Sequence, residues 1–156
     1  MVRVILRRVV GELLVSWVFN GGVVWIVMKH EELTERIIGV FYRVYNVLGY
    51  GFLERVYENV LKIEFKKEGL SFENQVPVRV YYKGEVVGDY VADFVIEGKV
   101  VVEVKAVCGI GVCEESQLLN YLRCTGKDVG LVLNFGKKAE FKRKIFETAR
   151  GREQGG

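Results

Sequence analysis

The stretch that decides the fold is residues 90–105, which read YVADFVIEGKVVVEVK. Two runs rich in valine flank a turn at Gly98, and this pattern predicts two adjacent β-strands joined as a hairpin. Three charged residues interrupt the apolar runs, namely Asp93, Glu103 and Lys105. Charges among buried valines are unfavourable unless something compensates for them. A divalent metal ion would do so, and a metal beside a lysine predicts a site for phosphodiester chemistry.

The two carboxylates share an ion only if the hairpin register puts them on one face of the sheet. A two-residue turn would pair Asp93 with Val102 and leave Glu103 on the opposite face. We therefore predict a three-residue loop at 96–98, whose glycine adopts the left-handed region, so that Asp93 pairs with Val101. Asp93 and Glu103 then become diagonal neighbours on one face, roughly 7–8 Å apart at Cα.

Length and composition are those of one globular domain. The chain has 156 residues, 50% of them hydrophobic and 28% charged, which fits a soluble α/β protein and excludes disorder. The net charge of +3 is compatible with nucleic-acid binding. An odd count of three cysteines without a CxxC pair favours a reducing cytoplasm, with a Cys108–Cys113 disulfide as the alternative. The single proline and the many valines, lysines and glutamates lean towards a thermophile.

Residues 1–28 form an apolar N-terminal extension. The run at 9–28 has the length of a membrane span, but Glu12 and the break at Asn20-Gly21 interrupt it. Asn-Gly between two apolar runs also favours a β-hairpin. Three interpretations stay open: an extension without function upstream of a true start at Met28, a membrane anchor, and a hairpin or contact surface. We expect membrane association only if residues 9–28 insert.

Hydrophobic spacing downstream predicts one domain over residues 29–149, followed by a flexible tail at 150–156. Its fold class is α/β with a mixed sheet, in the order ααβββαβα. The predicted elements are helices at 33–48 and 53–68, strands at 72–82, 86–96 and 99–107, a helix at 114–123, a buried strand at 129–134 and a basic helix at 138–149.

Residues 51–57 read GFLERVY and fit the pattern Gly-x-x-Glu-x-x-Tyr. This stretch resembles the signature of the GxxExxY protein family, which in turn is similar to the PD-(D/E)XK nuclease superfamily. The resemblance covers about residues 33–145 and implies a PD-(D/E)XK nuclease-like core of order αβββαβ. Its further blocks, in the same order, are QVPV at 75–78, ADF at 92–94, VEVKA at 102–106, QLLNYL at 117–122 and LNFG at 133–136.

The chain departs from the family pattern at three places. It has Gly49-Tyr50-Gly51 where the family often has Gly-Pro-Gly, Tyr45 in place of a histidine, and Val112-Cys113 in place of Ile-His. The acidic and lysine positions are unaffected, but a mechanism that needs an imidazole is weakened.

The resemblance also implies roles for individual residues. Asp93, Glu103 and the carbonyl of Val104 would bind Mg²⁺ or Mn²⁺ through hard oxygen ligands. Lys105, two residues from Glu103 and on the same face, would orient or deprotonate the attacking water, or stabilise the transition state. The remaining catalytic candidates are Glu54, as the helix acid, and Gln117 with Tyr121, which are four residues apart on one helix face.

The sequence thus predicts a metal-dependent, nuclease-like phosphodiesterase that cleaves DNA or RNA by metal-activated attack of water. The alternative is a non-catalytic nucleic-acid-binding module that keeps the nuclease fold. Taken singly, Glu54 would be a solvated helix acid, and Glu103 with Lys105 an ordinary ion pair. Homodimer formation is compatible with the resemblance, because nucleases of this fold often dimerise when they cut both strands.

Overall fold

The fold is built on a five-stranded mixed sheet, seen in a computed structural model that describes residues 3–9, 12–19 and 22–146, with side chains from residue 28 onward. The sheet order is β4-β5-β6-β7-β8; β6 and β7 run parallel, and the other neighbours are antiparallel. The strands are β4 (Phe72–Tyr82), β5 (Glu85–Ile96), β6 (Val100–Lys105), β7 (Val129–Phe135) and β8 (Ala139–Ile145).

Three helices accompany the sheet, namely α1 (Glu31–Leu48), α2 (Glu54–Lys67) and α3 (Val112–Thr125). Acidic residues open each helix, where negative charge is favourable to the helix dipole. Helix α1 ends at Gly49, whose φ of 64° needs a residue without a Cβ. Helix α3 connects the parallel strands β6 and β7, because such a pair requires a crossover.

The helices cover both faces of the sheet. One hydrophobic cluster joins α1 and α2 to the sheet and contains Phe41, Tyr57 and Phe135. A second cluster joins α3 to the opposite face and contains Val101 and Leu118. Because β6 and β7 lie in the centre, they are buried on both sides, which explains their nearly continuous apolar sequence. Glu103 is the charged residue inside β6, and it is only 3% exposed.

The N-terminal segment forms a separate antiparallel sheet of three strands, β1 (Arg3–Val9), β2 (Glu12–Phe19) and β3 (Gly22–Met28). Strands β2 and β3 pair antiparallel from Leu13↔Met28 to Phe19↔Gly22, whereas Asn20 and Gly21, on which the hairpin prediction falls, lie outside the described residues. In the described part of the chain, no helix is long and apolar enough to cross a membrane.

The sequence-based element order is right except at its last element. We expected a helix over 138–149, but residues 139–145 form strand β8; positions 147–149, like the predicted tail at 150–156, lie outside the described residues. Phe141 and Ile145 are four residues apart and so imitate a helix face. In the structure Ala139 and Phe141, two apart, pack against the core, as strand geometry requires. Pairing with β8 also satisfies the backbone groups at the otherwise open edge of β7.

A polar clamp fixes the chain as it leaves β6 and β7. The fully buried Asn134 accepts a hydrogen bond from the Val107 N–H and donates one to the Val107 carbonyl. The Tyr45 hydroxyl bonds to the carbonyls of Gly136 and Lys137, 3.0 Å from each. The segment that follows Lys105 is thereby tied to the end of β7.

Gly136 and Gly39 offer a matched pair of glycine-to-alanine substitutions. A Cβ at Gly136 would lie 2.1 Å from the Val107 carbonyl oxygen, so we expect Gly136→Ala to lower the free energy of unfolding by about 1–3 kcal/mol. Gly39 lies inside α1 with its nearest neighbour at 3.8 Å, so Gly39→Ala should raise that free energy by up to about 1 kcal/mol. Urea unfolding of both variants measures the two changes in the free energy of unfolding. Equal changes would contradict the tight packing of Gly136 against Val107.

Candidate active site

The candidate active site lies where strands β5 and β6 separate. The two strands pair only over Phe94–Ile96 and Val100–Val102. Beyond Phe94, β5 stays with β4, while β6 beyond Val102 stays with β7. We call this opening the fork. Asp93 and Glu103 are the first residues past it, one on each strand.

The two carboxylates replace the ladder hydrogen bonds that are lost at the fork. The Val104 N–H donates to Asp93 Oδ2 at 2.8 Å, and the Asp93 N–H donates to Glu103 Oε1 at 3.3 Å. Because the N–H and C=O of one strand residue point to the same side, we expect the Val104 carbonyl to face the fork as well. The carboxylates are therefore held together by the backbone of the opposite strand.

The predicted register needs one correction. The loop has three residues as expected, but it spans 97–99 instead of 96–98, and Ile96 pairs with Val100. Both Glu97 and Gly98 have positive φ values, 52° and 63°, and a left-handed glutamate is not visible in a sequence pattern. Continuing this register past the fork places Asp93 opposite Glu103 instead of diagonal to it. The two residues therefore lie on one face, which the expected metal site requires.

Lys105 is the cation of the fork. Its Nζ lies 4.0 Å from Glu103 Oε2, and the side chains of Lys105 and Glu103 are 18% and 3% exposed. Like Val101 in the cluster under α3, both residues project from the same face of β6. The structure thus brings Lys105 to the carboxylate pair while leaving it accessible to a ligand.

A polar network that was missed at the sequence level holds Asp93 from the other side. Gln75 Nε2 donates to Glu58 Oε1 at 2.8 Å and to Asp93 Oδ1 at 3.3 Å. Asn74 Nδ2 donates to Glu58 Oε1 at 2.7 Å and to the Asp93 carbonyl at 2.8 Å. Glu58 is buried on α2, and its Oε1 accepts two hydrogen bonds, one from Asn74 and one from Gln75.

The backbone explains why this network escaped the sequence analysis. Gln75 adopts a φ of 55°, which is uncommon for a residue with a side chain, and it interrupts the pairing of β4 with β5 opposite Asp93. The only available signals were the position of Gln75 in the QVPV block and that of Glu58 one helical turn after Glu54.

The predicted helix acid, Glu54, lies at the first turn of α2 beside the end of β6. Its Oε1 accepts a hydrogen bond from the Ala106 N–H at 3.4 Å, and its side chain is exposed. Tyr57 does not contact Glu54 through its hydroxyl. That group bonds to the Gly49 carbonyl and the Phe52 N–H, and the ring stacks on Phe135. Tyr57 therefore supports the loop that leads into α2.

Gln117 and Tyr121 meet on α3, as their spacing predicts. Gln117 Nε2 donates to the Tyr121 hydroxyl at 2.7 Å. Burial raises the pKa of Tyr121, and the negative charges of Glu103 and Asp93 raise it further against the hydrogen bond from Gln117. Tyr121 on α3 is thus close enough to interact electrostatically with the carboxylate pair, and Gln117 orients the Tyr121 hydroxyl.

Without a metal ion, the close approach of the Asp93 and Glu103 carboxylates is electrostatically unfavourable, even with Lys105 nearby. Burial and the Asp93 carboxylate raise the pKa of Glu103 to about 8, although Lys105 opposes the shift. Burial also raises the pKa of Asp93, with a further contribution from Glu58. Strongly perturbed pKa values such as these cluster at functional sites.

The donor atoms at the fork suit a hard divalent cation. Within the described part of the chain, no three histidine, cysteine, aspartate or glutamate side chains form a metal-binding group. Asp93 and Glu103 bring two carboxylates together at the fork, and carboxylate oxygens are ligands of the kind that Mg²⁺ and Mn²⁺ prefer. The residues present therefore fit such an ion, with water as the remaining ligands.

The match to a known family decides the identification. The family model described as PD-(D/E)XK nuclease superfamily matches residues 31–144, which is more than half of the chain. The chain belongs to the PD-(D/E)XK nuclease superfamily. The superfamily resemblance inferred from the sequence is thereby confirmed, as is the mixed α and β fold, whereas the narrower GxxExxY assignment stays a prediction.

Two further comparisons add little to the superfamily assignment. The crystal structure of SSO0001 is 20% identical in sequence, with a TM-score of 0.48. The alignment covers 74% of this chain and 59% of that chain, so this chain spans less than two thirds of that protein. Comparison with curated proteins gives no match.

An open groove lies next to this PD-(D/E)XK site. It has a volume of about 490 Å³ and is lined by Ala106, the residue after Lys105. Its walls are the loop at 50–53 and the clamped segments around Val107 and Gly136. Lys137 and the exposed Cys108 lie at its border.

The raised pKa of Glu103 predicts a pH dependence of stability in the metal-free protein. The folded state holds its proton to a pKa of about 8, whereas the unfolded chain releases it near 4.5, so stability should fall as the pH rises between these values. Glu103→Gln should remove most of this fall and stabilise the protein at pH 8 by a few kcal/mol. Urea unfolding from pH 4 to 9 tests this, with Glu73→Gln on the exposed side of β4 as control. A parallel pH profile for wild type and Glu103→Gln would contradict the electrostatic strain at the fork.

Proposed function

We propose that the protein is a metal-dependent nuclease that hydrolyses phosphodiester bonds in DNA or RNA. The observation that carries the proposal is the convergence of Asp93, Glu103 and Lys105 at the fork of a PD-(D/E)XK fold. Glu103 is 3% exposed and Lys105 18%, and charged groups buried to this extent are costly unless a partner such as a metal ion compensates for them.

Asp93, Glu103 and the Val104 carbonyl would hold Mg²⁺ or Mn²⁺ in this proposal. When bound, such an ion lowers the pKa of a coordinated water and offsets the charge that develops on the phosphate. Gln75 and Asn74 keep Asp93 in place, because they bind its side chain and its carbonyl. These amides supply the outer support on which the affinity of metal sites depends.

Lys105 would contact the substrate directly. Its ammonium group is near enough to the pair to orient a water molecule or to stabilise negative charge on the phosphate. Tyr121, oriented by Gln117, would contribute a hydroxyl at the α3 side of the fork. Glu54, which accepts a hydrogen bond from the Ala106 N–H, would position water or a second cation at the other side of the fork.

Calorimetry with Mn²⁺ tests the ion site without a choice of substrate. We expect wild type to bind Mn²⁺ and both Asp93→Ala and Glu103→Ala to lose binding, since each removes one of two carboxylates. Gln75→Ala should weaken binding about 10- to 100-fold, because Asp93 loses an orienting hydrogen bond. Glu73→Gln is the control. Binding that survives in both carboxylate variants would contradict a shared ion at the fork.

Cleavage assays test the role of Lys105. Lys105→Ala should lower the cleavage rate at least about 100-fold on a panel of single- and double-stranded DNA and RNA, because it removes the cation of the site. Its Mn²⁺ affinity and unfolding midpoint should stay near those of wild type. Lys99→Ala, exposed in the turn before β6, should cleave normally. Unchanged cleavage by Lys105→Ala would overturn this mechanism.

One observation favours the second candidate, a nucleic-acid-binding module without turnover. Lys105 and the backbone N–H groups of Asp93 and Val104 already contact the carboxylate pair, so the fork can persist without an ion. Binding of nucleic acid that is independent of metal, with no cleavage over the whole panel, would support this candidate.

Narrower assignments are part of the same proposal. Membership of the GxxExxY family is supported by Glu54 and by Tyr57, which supports the loop before α2. A reducing, cytoplasmic location is supported by the three cysteines, all exposed and none in a disulfide. We also propose that residues 29–149 form the functional domain and that dimers form on substrates with two strands.

A further inference from the structure

The hairpin of β4 and β5 extends beyond the rest of the sheet. These strands pair from Phe72↔Ile96 to Tyr82↔Glu85, whereas β6 pairs with β5 only at residues 94–96. Residues 76–91 therefore form a two-stranded projection, which we call the arm. Its side chains include several large hydrophobic groups that are 46–63% exposed: Tyr81, Tyr82, Val86, Val87, Tyr90 and Val91. A concentration of this kind on one element marks a binding surface.

The register of the arm separates its two faces. Tyr90 pairs with Val78, which is buried in the cluster under α3. The register shifts between Val80 and Tyr81, but the unpaired extra residue, Val87, belongs to β5, so the alternation along β4 continues and puts Tyr82 on the face of Val78. Tyr81 points to the opposite face. The face that carries Tyr90 and Tyr82 is thus the α3 side of the sheet, where Glu103 and Lys105 also project.

Tyr90 is fixed in place before any ligand arrives. A Cβ at Gly88 would lie 2.8 Å from Tyr90 Cε2, so the ring covers that glycine. The centroid of the Tyr90 ring is 6.3 Å from that of the Tyr121 ring, and Tyr121 in turn interacts electrostatically with Glu103 and Asp93. Tyr90 is still 52% exposed. A ring that is fixed on one side and open on the other loses little entropy when a flat ligand stacks on it.

Tyr82 provides a second open ring farther along the arm. Four residues separate Tyr82 from Val78, the partner of Tyr90, which corresponds to roughly 13 Å along the strand. The Lys83 Nζ lies 5.5 Å from the centre of the Tyr82 ring. The two tyrosines are therefore far enough apart to contact different bases of one strand.

We infer that the arm binds a single-stranded segment of nucleic acid by stacking bases on Tyr90 and Tyr82 and leads it to the fork. The inference rests on the proposed function, because it assigns the substrate class of that same site. Stacking requires bases that are free of a duplex, which selects single strands. Continuity from Tyr90 through Tyr121 to the carboxylates favours the substrate over a protein partner as the occupant.

Charges on the arm indicate how this binding responds to salt. The charged residues of the arm are Arg79, Lys83, Glu85 and Asp89, whose charges sum to zero, and Arg79 Nε lies 3.8 Å from Asp89 Oδ1. Affinity at the arm then comes from stacking more than from phosphate contacts, and removing a tyrosine should change the affinity without changing its salt dependence.

Fluorescence anisotropy with labelled oligo-dT and oligo-U, in EDTA so that no cleavage occurs, tests the inference. Tyr90→Ala and Tyr82→Ala should each raise the Kd about tenfold or more, as expected for loss of one stacked base. Tyr82→Trp should keep the affinity. Tyr81→Ala is the matched control, because Tyr81 is adjacent, 60% exposed against 63% for Tyr82, and on the other face. Its Kd should equal that of wild type, and thermal melting verifies that every variant is folded.

The outcomes separate this inference from the proposed function. Tyrosine-dependent binding of single strands by a protein that never cleaves would support the arm and overturn the nuclease. Cleavage of duplexes by a wild type that does not bind single strands would overturn the arm alone. Equal losses in Tyr81→Ala and Tyr82→Ala would also overturn it. So would a dimer in light scattering that dissociates in Tyr82→Ala, since a second copy would then be the occupant.

Discussion

The separation of β5 from β6 after three residue pairs is the constraint on which the site depends. An antiparallel ladder that ends inside a sheet leaves backbone groups without partners, and such groups are costly when buried. Here the side chains of Asp93 and Glu103 accept those hydrogen bonds. The carboxylates consequently serve two purposes, because they complete the backbone hydrogen bonding and face each other across the fork.

The rest of the fold keeps this unfavourable pair together. Strand β6 is buried by helices on both faces, so Glu103 cannot turn to solvent. Asp93 is held by the amides of Asn74 and Gln75 and by Glu58 behind them. Two carboxylates that repel each other persist only where the surrounding packing provides more stability than the repulsion removes, a situation typical of functional sites.

The sequence was sufficient for the parts of the site that depend on composition and period. Asp93, Glu103 and Lys105 stood out because charges rarely occur inside valine-rich strands. Gln117 and Tyr121 became candidates through the family resemblance, and helical spacing predicted only that they share one helix face. Backbone conformation set the limit. The left-handed Glu97 moved the loop by one residue, and the left-handed Gln75 directed an amide to Asp93; neither follows from residue type. The prediction of a helix at 138–149 was wrong for another reason. Strand β8 forms because it pairs with the edge of β7, and this tertiary interaction cannot be inferred from local periodicity.

The same separation of strands also explains the arm. Once β5 leaves β6, the N-terminal half of β5 pairs with β4 alone, so the residues before Phe94 extend as a two-stranded ribbon. Asp93 is the first residue of that stretch and Tyr90 is three residues further out, which fixes the distance from carboxylate to tyrosine by chain connectivity alone. A change in where β5 and β6 part would therefore move the carboxylates and the arm together. The chemistry of the fork and the surface that adjoins it are in this sense consequences of one feature of the sheet.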